Sequence, residues 1–156
     1  MRLAACLVLL PSLLSAQQIE FDISPTADCA AGDGGMACVG LAANSCMESS
    51  PGGYSTNGMS ICTELELDWW DERLNRNYQL MRERARAFDA DTADYAPPQE
   101  EALKEMQRAW IPFRDAKCEF VATEWGAGTG AGPATIWCLM DETARQALYL
   151  EERSRN

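Results

Sequence analysis

The chain has 156 residues, with 13 Lys and Arg against 24 Asp and Glu, a formal net charge of −11, and no histidine. The missing imidazole excludes Ser-His-Asp and Cys-His catalysis and every metal site built on His. The acidity argues against nucleic acid, whose phosphates require clustered Lys and Arg; a hydrophobic content of 47% is too high for a disordered acidic tail and sufficient for one ordinary domain.

At the N-terminus, Met1-Arg2 supplies one positive charge, Leu3 to Leu14 is apolar apart from Ser12, and Ser15-Ala16 precedes Gln17-Gln18. This pattern predicts a secretory signal peptide over 1–16, cleaved after Ala16, although Leu14 stands where a small residue is usual. The run is too short for a membrane span, which needs about 20 apolar residues. Leu3-Ala4-Ala5-Cys6 has the composition of a lipobox, but it precedes the hydrophobic stretch instead of following it. Loss of 1–16 removes Cys6 and leaves Cys29, Cys38, Cys46, Cys62, Cys118 and Cys138. An exported chain with an even cysteine set and no histidine fits disulfides better than zinc or a thiol catalyst. The expected location is periplasmic or secreted, with no cofactor.

Residues 17–35 are polar and Gly-rich and are expected to be irregular; 36–156 is expected to form the helical domain. Met36 to Met47 reads as a short helix, broken by Ser49-Ser50-Pro51-Gly52-Gly53. A long helix over 58–88 follows, in which Leu67, Trp70, Leu74, Tyr78, Met81, Ala85 and Phe88 recur at helical spacing. Its opposite face is expected to be charged, with Glu66, Asp68, Arg73, Arg76, Arg82, Glu83 and Arg86. Pro97-Pro98 opens the next helix, with Glu100 and Glu101 at its positive end, running to about Trp125. Leu103, Met106, Trp110, Phe113 and Val121 are its core candidates, and Pro112 predicts a kink. Gly126 to Pro133 is a flexible loop. A last helix over 134–153 uses Ile136, Trp137, Leu139, Met140, Leu148, Tyr149 and Leu150, and Thr143-x-x-Gln146 could cap a second segment near Asp141. No segment alternates with period two. The fold class is therefore all-α: a small disulfide-stapled bundle with two long antiparallel helices and two shorter ones.

Two clusters stand out. In the first, Asp71, Leu74, Asn75 and Tyr78 lie at helical spacing on one face; in the second, Gln107, Trp110, Arg114 and Cys118 do the same, with Asp115 beside them. Buried polar groups need partners, so the two faces are expected to meet as a hydrogen-bonded seam, with Arg114 buried against polar groups of the 58–88 helix. The competing reading is a catalytic site of carboxylates and Arg114, but no nucleophile or metal-ligand pattern accompanies it.

Cys62, Asp71-x-x-Leu74-Asn75-x-x-Tyr78 and Gln107-Arg108-Ala109-Trp110-Ile111-x-Phe113-Arg114-Asp115-Ala116-x-Cys118 together resemble the domain of lysozyme inhibitor LprI-like proteins. Cys138, Thr143, Arg145 and Leu148 are similar to that family's C-terminal segment, and the resemblance covers roughly Cys46 to Glu151. It implies a small exported helical domain of bacteria whose partner is lysozyme. Pro112 and an N-terminal extension with Cys29 and Cys38 depart from the pattern.

Several cysteine pairings are open. Cys118 and Cys138 flank the Gly-rich loop, and a bridge there would pin an antiparallel helix pair. If Cys38 and Cys46 shared one helix they would lie about 12 Å apart, too far to bridge. Cys46 and Cys62 can pair across the Pro-Gly-Gly break, which leaves Cys29 with Cys38. Three functions remain: a non-catalytic binding domain for lysozyme or another basic envelope protein, a structural envelope domain, or a carboxylate-based cell-wall hydrolase. For the first, the contact surface is expected at Gly126, Gly128, Thr129, Gly130 and Gly132 with neighbouring Glu124, and at Tyr54.

Overall fold

A computed structural model describes residues 18–92 and 96–155; the signal peptide expected at 1–16 lies outside them. Five α-helices are present among these residues: α1 (Ser24–Ala31), α2 (Leu41–Ser49), α3 (Thr56–Thr92), α4 (Gln99–Thr123) and α5 (Ala131–Arg155). A short 3-10 turn spans Gly35–Cys38. The fold is all-α, with three long helices instead of two.

The N-terminal extension is more ordered than its composition suggests. Pro25 at the first turn sets the backbone for α1, and Thr26 and Ala30, one turn apart, bury its inner face. The helix expected over 36–47 divides in two because Val39 is extended, ending the 3-10 turn, and Gly40 adopts φ +87°, a left-handed conformation from which α2 starts. A side chain at Gly40 would also meet the Trp137 ring of α5 at 2.6 Å.

Gly40 cannot cap α2 with a side chain of its own, so other elements do so. The Glu66 carboxylate of α3 accepts from Gly40 N at 2.7 Å and Trp70 Nε1 at 3.0 Å through one oxygen, and from Ala43 N at 2.8 Å through the other. Thr26 Oγ1 of α1 accepts from Ala42 N at 3.0 Å. The otherwise orphaned N–H groups of the first turn are thus satisfied from α1 and α3. Glu66, expected on the charged outer face, is wholly buried. The same device recurs at α4, whose first N–H groups, of Gln99 and Glu100, donate to the Asp89 carboxylate of α3 at 2.7 and 2.9 Å.

Helices α3, α4 and α5 run up, down and up. Antiparallel pairing of α4 with α5 follows from Gln107 meeting Gln146 and Cys118 meeting Cys138. The α3 and α5 helices run parallel, since Thr63 shares a hollow with Ala134 while Asn77 reaches Ala147. Their shared core holds Trp70, Leu74, Met140, Ala144, Ala147 and Leu150, with Leu67, Tyr78, Met81, Leu103, Met106 and Trp110 packed around it. A smaller core joins Ala43, Cys46 and Met47 of α2 to Cys62.

The α5 helix is continuous through Thr143 and Gln146, so the expected division near Asp141 does not occur. Both residues are buried against neighbouring helices, and Gln146 spends its amide on Gln107 instead of capping a helix start. The α4 helix runs on through Pro112, which lies on an exposed side. Phe113 beside it, expected in the core, is exposed because, among the described residues, no other helix covers that side of α4. Disulfides join Cys29–Cys38, Cys46–Cys62 and Cys118–Cys138, with Cα separations of 5.5, 5.7 and 5.4 Å. They tie α1 to the 3-10 turn, α2 to α3, and α4 to α5.

Two outcomes follow for stability. Replacing Glu66 by Gln keeps the volume but turns an amide N–H₂ toward an N–H donor; chemical denaturation should show a loss of about 3 kcal/mol, the scale of a buried charged hydrogen bond. At the α3–α4 turn, the Arg82 guanidinium, hydrogen-bonded at 2.8 Å, holds the Glu100 carboxyl below its usual range, with Lys104 and Arg86 adding attraction. A lowered native pKa contributes stability that is present above the ordinary carboxylate range and is lost as pH falls through the lowered value. Glu100→Gln should therefore flatten the acid limb of a melting-temperature profile recorded from neutral pH downward.

Candidate functional site

The two clusters singled out in the sequence do not form one seam between α3 and α4. Asp71 and Asn75 are exposed and bond to each other at 2.9 Å along α3. Leu74 is buried in the core and Tyr78 is half-buried, with the Arg82 guanidinium over its ring. On α4, Gln107 is buried and accepts from Gln146 Nε2 at 3.0 Å. Trp110 is half-buried, and Arg114 lies over its ring at 5.0 Å and binds Asp115 of its own helix at 2.8 Å. Arg114 thus makes its ion pair within α4, not against α3. The reason is that α5 takes the largest share of the interfaces of both α3 and α4. The polar seams run to α5 instead: Asn77 Nδ2 donates to Ala147 O at 3.1 Å, Arg73 pairs with Glu151 at 2.7 Å, and Lys117 pairs with Glu142 at 2.6 Å.

A second group of charges gathers at the end of α5. A hollow of about 390 Å³ is lined by Asp33, Arg73, Glu151 and Arg155. Glu151 holds both arginines, and Arg155 also reaches Asp33 at 3.0 Å. Asp33, first by hydrogen bonding, and Glu151 by charge raise the pKa of the Arg155 guanidinium further. The hollow is a clasp between the N-terminal extension and the end of α5. Among the described residues, no group of three or more His, Cys, Asp and Glu is placed to hold a metal ion.

The opposite end of the bundle has a different character. There the loop between α4 and α5 carries exposed Glu124, Gly126, Gly128 and Thr129, and Gly132 is exposed in the first turn of α5. Gly126 takes φ +55°, open to glycine and strained for other residues. Gly130 is half-buried because the Trp125 ring lies directly on it; an added Cβ would collide with the six-membered ring. Trp137 rests on Gly40 in the same way. The two tryptophans remain 53% and 36% exposed. They share a hollow of about 280 Å³ with Met47, Met59, Thr63 and Pro133, and another of about 450 Å³ with Val121, Asp141 and Glu142. Tyr54, 64% exposed, lies in the α2–α3 turn, between the Met47 and Met59 that line the first of these hollows.

Sequence reasoning missed the two tryptophans that dominate this end. Trp125 reads as the last residue of a helix and Trp137 as part of an apolar stripe, yet both lie at the surface. The available signal was the run of glycines around position 130, which lets an indole lie flat on the backbone.

A family model described as lysozyme inhibitor LprI matches residues 46–150. An uncharacterized protein of Rhizobium meliloti is 33% identical over 98 residues, covering 60% of this chain and 70% of that one. An uncharacterized 17.7 kDa protein of Rhodobacter capsulatus is 28% identical over 124 residues, covering 77% of this chain and 76% of that one. No solved structure matches the chain.

The glycine at position 130 sets where the Trp125 ring lies. Gly130→Ala should shift the Trp125 indole N–H resonance in a proton–nitrogen NMR spectrum. The melting temperature should stay within about 3 °C of the parent, because the loop contributes little to the core.

Proposed function

The chain belongs to the lysozyme inhibitor LprI family, and on that premise we propose that it acts by binding a lysozyme, not by turnover. The supporting observation is the loop end of the bundle, where Trp125 and Trp137 stay exposed on glycine floors beside two apolar hollows. Exposed tryptophans held in fixed orientations are the kind of residue that dominates protein interfaces, since they bury much area at little entropic cost. The Cys118–Cys138 disulfide joins the two helices that carry the loop, so less order has to be imposed on binding.

Charge supports the same partner. After loss of 1–16, and Arg2 with it, 12 basic and 24 acidic residues leave a net charge of −12 that accelerates encounter with a basic protein, and Glu124 and Asp141 lie close to the aromatic surface. In this reading Glu124, Gly126, Gly128, Thr129, Gly130 and Gly132 form one part of the contact surface and Tyr54 another, with the two tryptophans at its centre. The protein works outside the cytoplasm, delivered by the signal peptide at 1–16, where disulfides persist. Among the described residues, no helix is long and apolar enough to cross a membrane.

Calorimetric titration against lysozymes of several structural types, at low and moderate salt, tests the proposal. At least one type should bind, more weakly as salt rises. Trp125→Ala and Trp137→Ala should each weaken that binding by about tenfold or more while the fold is retained. Absence of binding to every type, or hydrolysis of peptidoglycan by the pure protein that a single carboxylate substitution abolishes, would overturn it.

A further inference from the structure

Among the described residues, no element covers an apolar stripe along the α4 helix. Ala109, Phe113, Ala116 and Phe120 are all exposed, and their spacing of four, three and four residues places them along one side of the helix. Phe113 and Phe120 are 60% and 64% exposed. Two phenylalanines open to this degree, one per two turns, form a continuous seam and not the scattered apolar residues of an ordinary surface.

The order of sizes along the stripe is small, large, small, large. When such a helix is laid antiparallel on a second copy of itself, a two-fold axis can pass between Arg114 and Asp115. Phe113 then faces Ala116 of the second copy, and Phe120 faces Ala109 of the second copy. Both pairs are large against small about the same axis, so one register fills every position without collision or gap. Such self-complementarity is what an isologous two-fold interface requires, and a seam of alternating positions four and three apart is the packing pattern of paired helices. We propose that α4 is a self-recognition surface through which two copies of this chain pair antiparallel.

The residues beside the seam are compatible with the pairing. Lys117 falls toward Trp110 of the second copy, and Pro112 toward Glu119 of the second copy, so no like charges are opposed along either flank. Burying a phenylalanine removes roughly 150–250 Å², so four rings exposed to this extent, with the alanines and Pro112, give a total approaching about 1,000 Å². That is the lower end for a specific interface and predicts a dimer that dissociates in the micromolar range. Without Arg2 of the signal peptide each copy carries 12 basic and 24 acidic residues, a net −12, so screening their repulsion should strengthen the dimer as salt rises. This is the opposite of the salt response expected for lysozyme binding, and the pairing does not depend on that function.

Sedimentation velocity of the oxidised protein across about 1–200 µM, in low and moderate salt, tests the pairing. The expected result is a monomer–dimer equilibrium that strengthens with salt. Phe113→Glu should weaken it about tenfold or more with unchanged helical circular dichroism, since Phe113 is exposed. Phe113→Ala and Ala116→Phe should each weaken the dimer, the first by opening a gap and the second by opposing two rings. The double exchange Phe113→Ala/Ala116→Phe restores a large-against-small pair and should recover association. A monomer at every concentration, a dimer indifferent to Phe113→Glu, or a double exchange no better than the single ones would overturn the proposal.

Discussion

The buried carboxylate of Glu66 is the constraint on which the arrangement of the N-terminal third depends. A carboxylate removed from water must find donors, and here all three partners are N–H groups: two from the start of α2 and one from Trp70. Because the donors belong to separate elements, the bond set can be completed only when α2 is seated on α3. The positive end of the α2 dipole adds to the attraction. The left-handed Gly40 is needed because it turns the first N–H groups toward α3, and its missing side chain makes room for Trp137.

Capping from a distance is used again at the other end of α3, where Asp89 receives the first N–H groups of α4. The long helix is therefore a spine whose carboxylates position the starts of two other helices, neither of which has a capping side chain of its own. Disulfides complete the work in the regions where the apolar core is thin. Cys46–Cys62 lies within the smaller core under α2, and Cys118–Cys138 ties α4 to α5 close to the loop end. With these helix starts capped and the helices joined by disulfides, the bundle can carry exposed aromatic side chains without burying them.

Two kinds of surface result. At the loop end, indoles lie on glycines, so the geometry comes from the backbone, with exposed Glu124 close by. Along α4, the geometry comes from helical repeat alone, because Ala and Phe alternate on a side that the bundle does not cover. We propose the first surface for a different protein, on charge and exposed aromatic area, and the second for a copy of the same chain, on the fit of large residues against small ones alone.

Much of the architecture was already legible in the sequence. The apolar recurrence from Leu67 to Ala85 marks α3, Pro97-Pro98 marks the start of α4, and the six cysteines from Cys29 onward, with their loop spacings, point to three bridges. Local order and covalent closure depend on short-range pattern, which a sequence displays directly. The partners of polar groups do not: Glu66 has the same spacing as a solvated acid, and nothing in its neighbourhood shows that residues 40–43 return to meet it. Asn77 rather than Asn75 reaches α5, because the rotation of α3 about its axis is settled by packing against two neighbours at once. Trp125 and Trp137 are exposed for a similar reason, since whether an aromatic residue is covered depends on which helix arrives over it. The sequence by itself determined the three long helices, their order and the Cys118–Cys138 link across the loop; only the tertiary structure decided which polar groups are buried and which aromatic side chains face solvent, because both are properties of the space between elements.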